Sequence, residues 1–321
     1  IDNRCSPSMT YTEVTLEEAS DVIKKAGFNN LLSIEKLDGG WANSNYLLLL
    51  EDQTKLVLKI WNEQSLDEVN YLVNITSYLF EAGIPTPNPI EFDNGEFIVM
   101  KDGLPWTILP FVDGNWLGND YESLFSLGVI QAKMHLVKPP KNLKSDFSMG
   151  VKLFEKLFII ADAKNDWNDF LIELKSSKSL LLNLDKLPRG IIHGDLFPDN
   201  VIGNNNRVIS ILDFEEVCND ILAFDLVMTF VGFGWENGEP ISERWNAILD
   251  GYQSIRTLSE EEISALPDLH KLATLSIAAW RYWQFKINMP GTEHESRYLE
   301  MTSRLDKVLP LSLIHISEPT R

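Results

Sequence analysis

Cysteine is almost missing from this chain of 321 residues, with only Cys5 and Cys218 present. The two lie far apart, one near a terminus without periodicity and one inside a patterned block, so no disulfide framework is implied and a reducing, cytoplasmic setting is expected. Long hydrophobic runs are missing too. The longest uninterrupted aliphatic stretch, residues 47–50 with their flanks, falls far short of the roughly 20 residues that cross a bilayer. No N-terminal segment reads as a charged region followed by an apolar one, so a soluble chain with no membrane partner is expected. Positive charge is scarce: 28 Lys and Arg stand against 47 Asp and Glu, a net charge of -19. Nucleic-acid binders neutralise phosphates with clustered cations, which excludes nucleic acid as an expected partner. Any smaller phosphate-bearing ligand would have to be held by Mg²⁺ and a few placed cations.

What is present suffices for one large domain or two modest ones. Residues 1–8 carry no periodicity and Met9 reads as an initiator, while residues 312–321 resemble a translated sequencing adapter; neither segment is expected to be part of the fold. Thr15 and Glu18 form a capping-box pair that predicts a helix over residues 16–26, ended by Gly27. Residues 46–50 and 55–61 flank a Glu51-Asp52 turn and read as a hairpin. Ser65 opens a helix to about Ala82, stopped by Gly83 and Pro85, and residues 97–100 and 106–112 form a second hairpin across Asp102-Gly103.

From Tyr121 onward the periodicity becomes helical, with Leu124, Leu127, Gly128, Ile130, Gln131, Met134 and His135 on related faces of one helix. Further helices are predicted over residues 151–174 and 260–288. Between them lies a non-helical block, residues 189–214, in which two apolar runs, 191–192 and 208–212, bracket a polar loop at hairpin distance. The expected fold class is therefore α+β: a small antiparallel β lobe over residues 9–112 and a larger, mainly helical lobe over residues 113–311, with a cleft between them.

The polar loop carries the strongest chemical signal. It reads His193-Gly194-Asp195-Leu196-Phe197-Pro198-Asp199-Asn200, and Asp213-Phe214-Glu215 follows thirteen residues after Asn200. Phosphoryl transfer needs metal ions to neutralise phosphate charge and a carboxylate to orient the attacking hydroxyl. The Asp-to-Asn spacing is that of the D-x-x-x-x-N catalytic loop of protein kinases, with a later Asp on Mg²⁺, which makes Asp195 the candidate base and Asn200 and Asp213 the candidate metal ligands. Alone the string reads more readily as an Asp/Asn-rich turn; the bracketing apolar runs and the stiffening Pro198 favour the catalytic reading. His193 has no second His or Cys at ligand spacing and reads as a hydrogen-bonded loop anchor. Asp225 reads as an acid that ties the catalytic loop through its backbone, or as a simple helix-start residue.

The β-rich half supplies a matching set. The segment 38–45, with Gly39, Gly40, Asn43 and Ser44, has small residues that could approach phosphates, or it is a plain β-turn. Lys59 lies within an apolar strand, where an unpaired ammonium would be costly. Glu68 is its candidate partner, although Ser65 and Glu68 also match a capping box; Glu63 and Asp67 are the nearest substitutes.

These motifs are similar to those of the aminoglycoside phosphotransferase and choline kinase superfamily, whose members have a two-lobed, protein-kinase-like fold. The resemblance spans roughly residues 34–290 and is closest to its kinase-like homoserine kinases. It is carried by Trp41 to Asn45, Ala82 to Pro85, the Asp195 to Asn200 string, Cys218 to Asp220, Ala223 to Leu226 and Leu249 to Tyr252. It implies an ATP- and Mg²⁺-dependent kinase of a small hydroxyl compound, homoserine first, with hydroxylysine, choline, a methylthiosugar or an aminoglycoside as alternatives. It places Lys59 on the α and β phosphates, adenine near Pro110 to Val112, and Arg281 on an acceptor carboxylate. Lys59 departs from many homoserine kinases, which carry another residue there. A non-catalytic module of the same fold would lack Asp195, Asn200 or Asp213, and all three are present.

Overall fold

The computed structural model describes residues 11–37, 43–145, 147–181 and 184–307. The chain divides into two compact units, one running to Asn115 and including Ile209–Leu212, the other formed by Trp116–Val208 and the chain from Asp213 onward.

The first unit is built on alternation. Helix α1 (Leu16–Lys24) is followed by strands β1 (Leu31–Lys36), β2 (Ser44–Leu50) and β3 (Lys55–Ile60), helix α2 (Leu66–Glu81), then β4 (Val99–Lys101) and β5 (Leu104–Pro110). The five strands form an antiparallel sheet in the order β1-β2-β3-β5-β4. Successive side chains of a strand face opposite ways, so Tyr46, Leu48 and Leu50 of β2 and Leu56, Leu58 and Ile60 of β3 enter one core with Trp106 and Ile108. Helix α1 covers it with Ala19, Val22 and Ile23, each large aliphatic contributing about 2 kcal/mol by leaving water. Helix α2 begins with Ser65 as N-cap. Ile211 belongs to this unit through its amide, which donates to the Pro85 carbonyl at 2.7 Å.

The second unit contains α3 (Tyr121–His135), α4 (Val151–Lys164), α5 (Asp169–Ser176), β7 (Arg189–Ile192), β8 (Val201–Asn204), β10 (Cys218–Ile221) and α6 (Leu222–Phe233), while β6 (Asn115–Trp116) and β9 (Arg207–Ile211) are divided between it and the first unit. Strands β11 (Trp235–Glu236) and β12 (Glu239–Pro240), then α7 (Ser242–Gln253), α8 (Glu260–Arg281) and α9 (Tyr298–Thr302) complete it. Helix α6 is apolar on nearly every side, and eleven of its residues are buried, as required of a helix surrounded by others. Helices α3 and α7 cross at backbone contact: a Cβ on Gly128 would lie 2.1 Å from the Ile248 carbonyl oxygen, and one on Gly251 would lie 2.0 Å from that of Phe125.

Three expectations are corrected here. Residues 151–174 are two helices, because Asn165 takes a left-handed conformation at φ 49° and Asn168 caps α5 by accepting from Leu171 N–H, roles to which short amide side chains are suited. Residues 260–288 are α8 followed, from Tyr282, by a π-helix to Asn288. The two apolar runs around the polar loop do not pair with each other: β7 pairs with β10, and β9 lies beside β8. Asp213 accordingly lies beyond the end of a strand. Cys218 is buried, and no helix among the described residues is long and apolar enough to cross a membrane.

Candidate active site

The loop after β7 is held from beneath. Gly194 has φ +80°, and a Cβ there would lie 2.8 Å from the Phe147 ring, so the sharp turn into Asp195 admits only glycine. The turn is fastened by Asp225, fully buried on the first turn of α6. Its Oδ1 accepts from Gly194 N–H at 2.8 Å, and its Oδ2 accepts from His193 N–H at 3.2 Å, Gln131 Nε2 at 3.0 Å and His135 Nε2 at 2.9 Å. The His193 ring lies 4.7 Å from that of Phe214, and its Nδ1 accepts from Asp195 N–H at 3.2 Å. At the far end of the loop, Asn200 Nδ2 donates to the Asp195 carbonyl at 2.8 Å and to Asp195 Oδ2 at 3.2 Å. Both contacts use the amide nitrogen, which turns the carbonyl oxygen of Asn200 away from Asp195.

The electrostatics follow from crowding. Burial, then the charges of Asp213, Asp199 and Glu216, lift Asp195 to about 8 against the Asn200 hydrogen bond. Glu216 is also raised, chiefly by burial, although the Ser148 hydroxyl donates to it and Lys144 opposes the shift. Asp225 is the exception: burial alone would raise it, but the hydrogen bonds from His135 and Gln131, with His193 beside it, hold it below the ordinary carboxylate range. Asp213 has φ 60°, a strained backbone for a non-glycine residue of the kind that collects at functional sites.

This donor set fits a hard divalent cation. A carboxylate and an amide carbonyl are oxygen ligands of the type Mg²⁺ prefers, and the cation would relieve the accumulated negative charge around Asp195. Among the described residues no cluster of three or more His, Cys, Asp or Glu forms a ready cage, in keeping with an ion held by one or two protein groups together with substrate phosphates.

The remaining predicted residues fall into separate settings. Asn43 Oδ1 accepts from Asn62 N–H at 3.1 Å, and Ser44 Oγ accepts from Thr12 N–H and Asn62 Nδ2, both at 2.8 Å, so both residues brace the start of β2. The rest of the expected phosphate loop, 38–42, lies outside the described residues. Lys59 is buried on β3, its ammonium 3.9 Å from the centroid of the Trp61 ring. Glu68 Oε2 accepts from Ser65 N–H at 2.8 Å and Ser65 Oγ at 2.7 Å, which realises the capping box. Pro110 closes β5, and Val112 follows it in a loop. Arg281 Nη1 donates to Glu300 at 2.8 Å and to the Arg297 carbonyl at 3.2 Å, so a carboxylate of the same unit shares its charge.

Sequence reasoning gave no role to Gln131, His135 or Tyr252, although the first two were placed on α3 and the third in the Leu249–Tyr252 stretch. Glu216, three residues past Asp213, was also passed over. No local pattern marks them, because their partners lie far away along the chain.

The model of the phosphotransferase enzyme family matches residues 33–258. The chain is 30% identical over 293 residues to a homoserine kinase of Nitrobacter winogradskyi, covering 88% of each protein. It is equally identical over 289 residues to one of Rhodopseudomonas palustris, covering 87% of this chain and 88% of that one. Among solved structures, a microcompartment-associated aminopropanol kinase has a TM-score of 0.70 at 17% identity over 94% of this chain and 99% of that one. An amicoumacin kinase in complex with AMP-PNP, Ca²⁺ and its antibiotic has a TM-score of 0.69 at 16% identity, covering 92% and 95%. At these identities the structures speak for the fold.

Proposed function

Because the chain belongs to the phosphotransferase enzyme family, we propose that it transfers the γ-phosphate of ATP to the side-chain hydroxyl of homoserine, giving O-phosphohomoserine. The supporting observation is the Asp195–Asn200 pair on a loop clamped by Asp225, with Asp213 beside it. The homoserine kinases among its relatives indicate the acceptor.

Asp195 is the base. Its carboxylate accepts the hydrogen bond of the acceptor hydroxyl, holds that oxygen in line with the γ-phosphorus, and takes the proton as the oxygen–phosphorus bond forms and the bond to ADP breaks. Asn200 keeps one Asp195 oxygen engaged and so fixes the direction of the other. Asn200 and Asp213 would hold Mg²⁺, whose charge neutralises the phosphate oxygens. The same charge would bring Asp195 down from about 8 to where it is ionised at neutral pH. This reading assigns Lys59 of the first unit to the α and β phosphates, Asn43 and Ser44 to nucleotide binding, and Pro110 to Val112 to adenine. This reading keeps Arg281, which also donates to Glu300, as the candidate cation for the acceptor carboxylate.

The test is ADP formation with Mg·ATP and homoserine, with the product identified by ³¹P NMR. No turnover on homoserine, together with turnover on choline, hydroxylysine, a methylthiosugar or an aminoglycoside, would move the acceptor assignment elsewhere in the family.

A further inference from the structure

A buried chain of polar contacts continues behind Asp225, away from the chemistry. His135 Nε2 lies 2.9 Å from Asp225 Oδ2, and its Nδ1 lies 2.7 Å from the hydroxyl of Tyr252 on α7. Arg256 Nη1 donates to that hydroxyl at 3.2 Å, while Arg256 Nη2 donates to Glu262 Oε1 at 2.9 Å. Glu262 is itself buried and accepts from Ser259 N–H at the start of α8 through its other oxygen. His135, Asp225 and Tyr252 are all buried, so water does not compete for these bonds.

We propose that His135 and Tyr252 are positioning residues for the phosphoryl-transfer step, acting through Asp225: the Tyr252 hydroxyl fixes the His135 tautomer that donates to Asp225, and Asp225 sets the Gly194–Asp195 backbone. The proposal rests on the reading of Asp195 as base. Hydrogen-bond accounting fixes every direction. An ionised Asp225 can only accept, so His135 Nε2 carries a proton. The Tyr252 oxygen already accepts from Arg256, and its own proton has Nδ1 as its buried acceptor. The reverse arrangement, with Nδ1 protonated, would aim two donors at one hydroxyl and leave its proton with no acceptor. Tyr252 stays protonated because burial, with the charges of Glu262 and Asp225, raises it further above the ordinary phenol range against the effect of Arg256.

The consequence is kinetic as well as structural. His135 and Tyr252 act at a remove from Asp195, yet Asp225 holds the two successive amides, of His193 and Gly194, that lead into it. A misplacement of a reacting group by about 1 Å costs on the order of 100-fold in rate. The close crossing of α3 and α7 at Gly128 and Gly251 brings His135 and Tyr252 together, which gives those glycines a place in the same device.

The test is a double-mutant cycle with a spectroscopic arm. Tyr252→Phe preserves the ring and is expected to lower kcat about tenfold while KM for ATP changes by less than twofold. His135→Gln offers an amide donor to Asp225 that needs no tautomer, so it should retain most of kcat, and adding Tyr252→Phe to it should have little further effect. An equal fall in both backgrounds would mean that Tyr252 acts by packing, and would overturn the inference. In the native enzyme, ¹⁵N-histidine NMR should show His135 protonated at Nε2 alone, and a mixed tautomer would overturn it without any variant or acceptor. Asp195→Asn, made in parallel, separates the two levels. Loss of turnover there with kcat retained in Tyr252→Phe sinks this inference and leaves the base assignment standing, whereas turnover retained in Asp195→Asn sinks both.

Discussion

The amide of Gly194 donates to Asp225 Oδ1 at 2.8 Å, across 31 positions of sequence. That bond joins the turn that presents Asp195 to the first turn of a helix buried on almost every side, so an enclosed element of the second unit holds the candidate catalytic loop. The same carboxylate accepts three further hydrogen bonds, from His193, Gln131 and His135.

Replacing Asp225 by Asn keeps the shape but turns an amide donor toward groups that are themselves donors. Removing a buried, fully engaged charge of this kind costs about 3 kcal/mol. Urea unfolding of Asp225→Asn is expected to show a loss of that size, with turnover down at least tenfold; native stability in the variant would count against the clamp.

Asp195→Asn removes the proton acceptor while leaving the Asn200 contacts nearly intact. A fall in kcat of about 100- to 10,000-fold is expected, with ATP binding by calorimetry unchanged. Weaker ATP binding with kcat preserved would point to a nucleotide role for this residue.

Asp213→Gly should uncouple stability from activity. Glycine accepts the φ of 60° without strain, and the substitution removes one of the charges that oppose Asp195, so a gain of about 1 kcal/mol is expected. Activity should nevertheless be lost, because the candidate metal ligand is gone. A variant both active and stabilised would show that Asp213 holds no ion.

Gly128→Ala and Gly251→Ala each force a Cβ to about 2 Å from a carbonyl oxygen of the facing helix. No flexible side-chain end is there to give way, so α3 and α7 must separate. Each is expected to lower stability by about 3 kcal/mol, at the upper end for overpacking, as measured by thermal or urea unfolding.

His270 gives the fold an acid limit. It is packed against the rings of Phe230 and Trp235 and has no hydrogen-bond partner at either ring nitrogen among the described residues; burial, with the charge of Arg304, lowers it from 6.5 to about 3. Below pH 6.5 the unfolded chain therefore binds a proton that the folded chain refuses. Stability falls with decreasing pH by about 1.4 kcal/mol per unit until the folded value is reached. His270→Phe should remove that part of the slope between about pH 6 and 4, and an unchanged acid limb would show that other groups set it.

Much of the first unit was readable before any coordinates. The capping pairs Thr15–Glu18 and Ser65–Glu68 lie three residues apart, and the apolar alternation of β2 and β3 is a property of neighbours; such signals survive in sequence because the interactions are short-range. Glu68 marks where this stops, since its spacing from Ser65 and its position after the Lys59 strand suited two roles, and sequence could only state both. The break at Asn165 to Asn168 was missed for a related reason: the apolar period runs on through it, and the left-handed turn of Asn165 is a choice made by packing.

The candidate Asp195-to-Asn200 string was legible in sequence alone, because its spacing is a single local turn whose residue types are read wherever the turn is placed. Tertiary structure alone decided what holds that turn. Cys218 to Ile221, not the run before Asp213, became the partner of β7; Arg281 was matched to Glu300; and His135, Asp225 and Tyr252 met across three helices. The last of these contacts joins positions 90 and 117 apart; it is reached where two glycines let α3 and α7 approach at backbone distance and burial excludes water from the bonds between the three side chains.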